Sequence, residues 1–105
     1  MRERDIERIL VDEARKAGGR AYKWVSPGNA GVPDRIVIFP GRAPVFVELK
    51  ADGGSLTKLQ EAQLRKLEEL GQAVWVARGV DGVSGLFQAL GYDEASRALD
   101  CKYGL

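Results

Sequence analysis

The spacing of hydrophobic positions changes several times along the chain, and each change predicts an element. Over residues 3–17, Ile6, Ile9, Leu10, Ala14 and Ala17 recur three or four apart and Gly18-Gly19 follows, which predicts a helix with a glycine stop. Residues 20–25 alternate and carry aromatics, as a strand does. "SPGNAG" at 26–31 is a cluster of turn formers. β-branched residues dominate 34–39, a strand that opens at Asp34. After "PGRAP", residues 45–50 ("VFVELK") return as the second arm of an antiparallel hairpin. Past a flexible "ADGGS" loop, Leu59, Leu64, Leu67 and Leu70 mark one side of a helix over 57–70 that ends at Gly71. The continuous apolar run 73–77 fits a buried strand, and "RGVDGVSGLFQAL" predicts a Gly-rich turn and a last short helix. From Tyr92 onward the pattern is weak and assigns no element and no role. The order α-β-β-β-α-β-α predicts an α/β fold of α+β type, a small mixed β-sheet flanked by helices. It occupies one domain over residues 1–91, followed by a tail over 92–105.

Bulk composition narrows the chemistry. At 105 residues with 45% hydrophobic and 30% charged positions, the chain suits one soluble core. No apolar run approaches the roughly 20 residues of a membrane helix. The charged start "MRERDIERIL" lacks a signal-peptide stretch, so an intracellular, cytoplasmic setting without membrane contact is expected. Cys101 is the only cysteine and cannot form an internal disulfide. The chain has no histidine. That excludes His-containing zinc sites, His-activated nucleophiles and histidine acid–base catalysis together. A net charge of +1 neither announces a nucleic-acid binder nor excludes one, because a basic face can be balanced by an acidic one.

Three carboxylates and a lysine stand out within that frame. Side chains alternate along a strand, so Phe46, Glu48 and Lys50 share one face while Val45, Val47 and Leu49 share the other. Such a Glu-x-Lys pair is also what a solvated ion pair looks like. Asp34, at the mouth of the neighbouring strand, is placed to approach Glu48. On the first helix Glu3 lines up with Ile6, Leu10 and Ala14, Glu7 lies at the stripe's edge, and Asp5 points away. A carboxylate at a helix start is also favoured by the macrodipole alone. If the three acids converge, they form an oxygen-rich site suited to Mg²⁺ or Mn²⁺. A lysine beside it can orient a water or hold a phosphate oxygen, which together describe phosphodiester hydrolysis.

Pro33-Asp34 followed by Glu48-Leu49-Lys50 resembles the PD-(D/E)XK nuclease signature. The words "GVPDR", "FVELKADGG", "LTKLQ" and "LEELGQAVWVA" further resemble the virus-type replication-repair nuclease (VRR-NUC) domain in its compact, stand-alone form, over residues 3–90. The resemblance implies a restriction-endonuclease-like fold and a metal-dependent deoxyribonuclease, with Asp34, Glu48 and the Leu49 carbonyl as ligands and Lys50 acting on the attacking water. It implies Glu3, in a Glu-x-x-Ile pattern with Ile6, as the helix ligand, with Glu7 as the fallback. The family's glutamine maps onto Gln60, which also completes a capping box with Thr57. Tyr22, Lys23, Ser26 and Arg35 flank the site as candidate DNA contacts, each also compatible with ordinary surface or packing. The resemblance further implies a homodimer acting on DNA, branched or junction DNA included, in DNA repair, and a phage or mobile-element origin. Two other readings stay open: a catalytically silent DNA-binding or assembly module on the same fold, and an unrelated α/β domain whose strand charges are merely solvated.

Overall fold

The structure, a computed structural model, describes residues 1–104. Its elements are α1 (Glu3–Lys16), β1 (Arg20–Lys23), β2 (Arg35–Ile38), β3 (Val45–Lys50), α2 (Lys58–Glu69), β4 (Ala73–Arg78), α3 (Gly79–Ala89) and α4 (Asp93–Tyr103). The four strands form one mixed sheet in the order β1-β2-β3-β4, antiparallel across β1/β2 and β2/β3 and parallel across β3/β4. The parallel pair follows from the connection: α2 carries the chain back across the sheet so that β4 can run alongside β3.

Two layers of helix serve the two faces of the sheet. Val37, Val47, Leu49 and Ala77 point to one face, where they bury against Ile6, Leu10 and Ala14 of α1 and Val83, Leu86 and Phe87 of α3. Phe39 joins this core through rings of Phe87 and Tyr92, at centroid distances of 5.7 and 5.0 Å. The other face carries Phe46, Glu48 and Lys50, and α2 lies against it. No helix of the described residues is long and apolar enough to cross a membrane.

The predicted order is present, with three differences. Only Leu64 of the predicted α2 stripe is buried; Leu59 is 60% and Leu70 74% exposed. α2 packs mainly along β4, the edge strand, so only the middle of the stripe is covered. The segment expected to hold a Gly-rich turn is instead helix α3 itself, starting directly after β4. Its glycines are a packing surface: a Cβ on Gly82 would lie 2.8 Å from the backbone of Ala77, so only glycine lets this helix press onto β4. Trp75 seals that contact by donating its indole N–H to the Gly82 carbonyl at 2.9 Å.

The weakly patterned tail forms α4. It docks on α3 through Leu99 and a buried polar cluster in which the Ser84 and Ser96 hydroxyls lie 2.8 Å apart and Ser84 also donates to Asp100. Serines where an apolar stripe would stand are the reason the sequence does not announce this helix.

Candidate active site

Asp34 is held by the way its loop is built. Gly31 has φ of +87°, a left-handed conformation that favours glycine, and Pro33 behind it is buried. The loop docks on the first turns of α2, where Gln63 donates to the Ala30 carbonyl at 3.2 Å. A Cβ on Gly31 would meet the Leu59 backbone at 2.8 and 2.9 Å. Gly31→Ala therefore combines a strained φ with a backbone clash. It is expected to cost about 2 kcal/mol or more, read as a lower urea midpoint with the m-value unchanged. The Trp24 amide donates to the Asp34 carbonyl at 3.0 Å, and Asp34 Oδ2 accepts the Leu49 amide at 2.9 Å. Asp34 thus bridges the start of β2 to the part of β3 that runs past it.

Glu48 sits at the centre of the site and is 1% exposed. One carboxylate oxygen from each of Glu3, Asp34 and Glu48 lies within 4.8 Å of the others. Burial runs from Glu48, fully covered, through Asp34 to Glu3, which is exposed, so the cluster opens to solvent on the Glu3 side. Oε2 of Glu48 accepts from Gln60 Nε2 at 3.1 Å and lies 3.8 Å from Lys50 Nζ. Oε1 is buried with no hydrogen-bond partner among the described residues. An uncompensated carboxylate oxygen inside a protein is costly, and it is the arrangement expected where a cation is to be held.

The electrostatics agree. Burial, chiefly, pushes the Glu48 carboxyl up from the ordinary 4.5 to about 8. The nearby Asp34 carboxylate adds to this, as does Glu3, while Lys50 pulls the other way. Near neutral pH the cluster by itself keeps a proton on Glu48, which a divalent cation would displace. Three hard oxygen donors, one of them buried without a partner, fit Mg²⁺ or Mn²⁺.

The structure brings Glu3, Asp34, Glu48, Lys50 and Gln60 together. Gln60 completes the capping box with Thr57 while its amide nitrogen reaches Glu48. Glu7 is engaged elsewhere, accepting from Arg35 Nε at 2.8 Å. Arg35 also donates to the Ala21 carbonyl, which latches β2 to α1 and β1. Ser26 accepts from Asn29 within its own loop at 2.9 Å. Tyr22 pairs with Ile36 in register and is 57% exposed on the Phe46–Glu48 face, whereas Lys23 pairs with Arg35 on the α1 side. Sequence reasoning missed Arg78, which stands beside Lys50 across the parallel β3/β4 ladder. No periodicity signals that register.

The comparisons with known proteins bear on this arrangement. No protein-family model matches the chain. A protein of Acyrthosiphon pisum secondary endosymbiont phage 1, named "Putative nuclease p44", is 48% identical over 81 residues, covering 77% of this chain and 87% of that protein. A solved structure titled "VRR_NUC domain" superimposes with a TM-score of 0.75 at 22% identity, over 82% of this chain and 94% of that one. The chain belongs to the family of this phage protein and has the VRR-NUC fold. A second solved structure, a "VRR_NUC domain protein", matches with a TM-score of 0.69 at 19% identity, over 84% and 86% of the two chains. The VRR-NUC fold is thus shared at low identity.

Proposed function

We propose that this chain of VRR-NUC fold is a nuclease that hydrolyses DNA phosphodiester bonds with Mg²⁺ or Mn²⁺, of the PD-(D/E)XK type. The observation that carries the reading is the convergence of Glu3, Asp34 and Glu48 with Lys50 alongside, one buried oxygen of Glu48 having no partner among the described residues. Glu3, Asp34, Glu48 and the Leu49 carbonyl would hold the ion. Bound there, it supplies Lewis acidity, making water more acidic and offsetting charge that builds on the phosphate oxygens.

The protein's own groups do the rest. Gln60 steadies the Glu48 carboxylate through Oε2 and leaves Oε1 without a hydrogen-bond partner among the described residues. Asp34, anchored on the Leu49 amide, cannot swing away from β3. Lys50, half-buried and with only Glu48 as its ion-pair partner among the described residues, is placed to orient the attacking water and to ease its deprotonation. Tyr22, exposed on the same sheet face, offers a ring against which a nucleotide can stack, and Lys23 and Ser26 lie on the adjoining strand and loop. Glu7 and Arg35 support the site by tying α1 to the sheet.

Within that reading the enzyme is an endonuclease selective for branched or junction DNA and acts as a homodimer. The phage origin of its relative accords with a mobile-element setting. The test is to incubate the purified protein with supercoiled, linear, flapped and four-way-junction DNA in Mn²⁺, Mg²⁺ or EDTA. Metal-dependent internal cutting that favours the branched substrates is expected. Tight binding with no cutting in either metal would instead make it a silent module.

A further inference from the structure

Arg78 is the last residue of β4, and the parallel ladder pairs it with Lys50, the last residue of β3. Adjacent strands lie about 4.8 Å apart, and directly paired residues project to the same face. The alternation confirms the side: Ala77 is fully buried with Leu49 on the core face, so Arg78 projects with Lys50 onto the face of the carboxylate cluster.

Its side chain is both oriented and unspent. Nε donates to the Gly54 carbonyl at 3.2 Å, which turns the guanidinium toward the loop that leaves β3. Arg2, Lys16 and Arg35 each have a carboxylate within 4 Å, but Arg78 has none among the described residues and is exposed. With Nε tied to the backbone, the two terminal nitrogens remain as a planar pair of donors, the geometry that matches two phosphate oxygens. An exposed, unpaired arginine one strand away from Lys50 also supplies local positive charge that the near-neutral net charge conceals.

We propose that Arg78 binds the DNA phosphate next to the one undergoing hydrolysis and so sets where the strand lies across the site. This rests on the nuclease reading above.

Arg78→Ala and Arg78→Lys would be compared with the wild-type full chain in Mn²⁺, on whichever DNA the wild type cuts, across a salt series. Melting temperature serves as the folding control. Arg78→Ala is expected to raise KM about tenfold while changing kcat by less than about threefold, and to lower the slope of log KM against log salt by roughly 0.7–0.9. Arg78→Lys should restore that slope but only part of the affinity, because the bidentate contact is gone. An Arg78→Ala enzyme that loses kcat with the salt slope unchanged would overturn the proposal, since that is how a mere anchor of the 51–54 loop would behave. Wild-type protein that cuts no DNA in any metal would remove the nuclease reading itself, and Arg78 would lose its substrate with it.

Discussion

Glu48→Gln is expected to abolish DNA cleavage and, in metal-free buffer above pH 8, to raise the melting temperature. The two effects share one cause. The Glu48 carboxyl is pushed from 4.5 to about 8 in the fold, so folding favours its protonated form. The corresponding stability is fully present below about pH 4.5 and is lost as pH rises through about 8. At about 1.4 kcal/mol per unit, a shift of this size corresponds to several kcal/mol. Glutamine keeps the shape and can still accept from Gln60, but it carries no charge at any pH. Melting curves from pH 5 to pH 9 should therefore fall for the wild type and stay flatter for Glu48→Gln, with the variant higher by roughly 5 °C or more at the alkaline end. A wild-type curve that does not fall relative to the variant would mean that the carboxylate is not crowded. Loss of cleavage follows independently, because an amide oxygen is a far weaker ligand for a hard divalent cation than a carboxylate.

Lys50→Ala separates chemistry from metal binding. Among the described residues, Lys50 has one ion-pair partner, Glu48 Oε2 at 3.8 Å. Its removal is expected to lower kcat by about 10²- to 10⁴-fold, the usual contribution of a positioned proton-transfer group. Mn²⁺ should still stabilise the variant against heat, because the carboxylates remain and a neighbouring cation has been taken away. A variant that loses metal-induced stabilisation together with activity would show that Lys50 holds the cluster together instead of acting on the water.

What the sequence made legible follows from what is periodic or local in it. Alternation along "VFVELK" separates Glu48 from Leu49 correctly, and helical spacing puts Glu3 on the face of Ile6 and Leu10. The Pro33-Asp34 corner and the Thr57–Gln60 capping box are likewise local patterns. What depended on tertiary approach was hidden. Gly82 reads as a turn residue until Ala77 lies beneath it, and Ser84 and Ser96 read as polar surface until they meet each other. The Glu7–Arg35 bond, spanning α1 and β2, sets Glu7 apart from Glu3 in a way that helical spacing does not show. Arg78 becomes notable only when the β3/β4 register places it beside Lys50.

The central claim is that Glu3, Asp34 and Glu48 form a divalent-cation site. Its most direct test is a calorimetric Mn²⁺ titration at pH 7 in buffers of different ionisation enthalpy. Saturable binding with net proton release is predicted, because the ion must displace the proton that Glu48 retains at that pH. The release should shrink toward pH 9 and disappear, with the binding, in Glu48→Gln. Absence of Mn²⁺ binding by the folded wild-type protein, or binding unchanged in Glu48→Gln, would contradict the account.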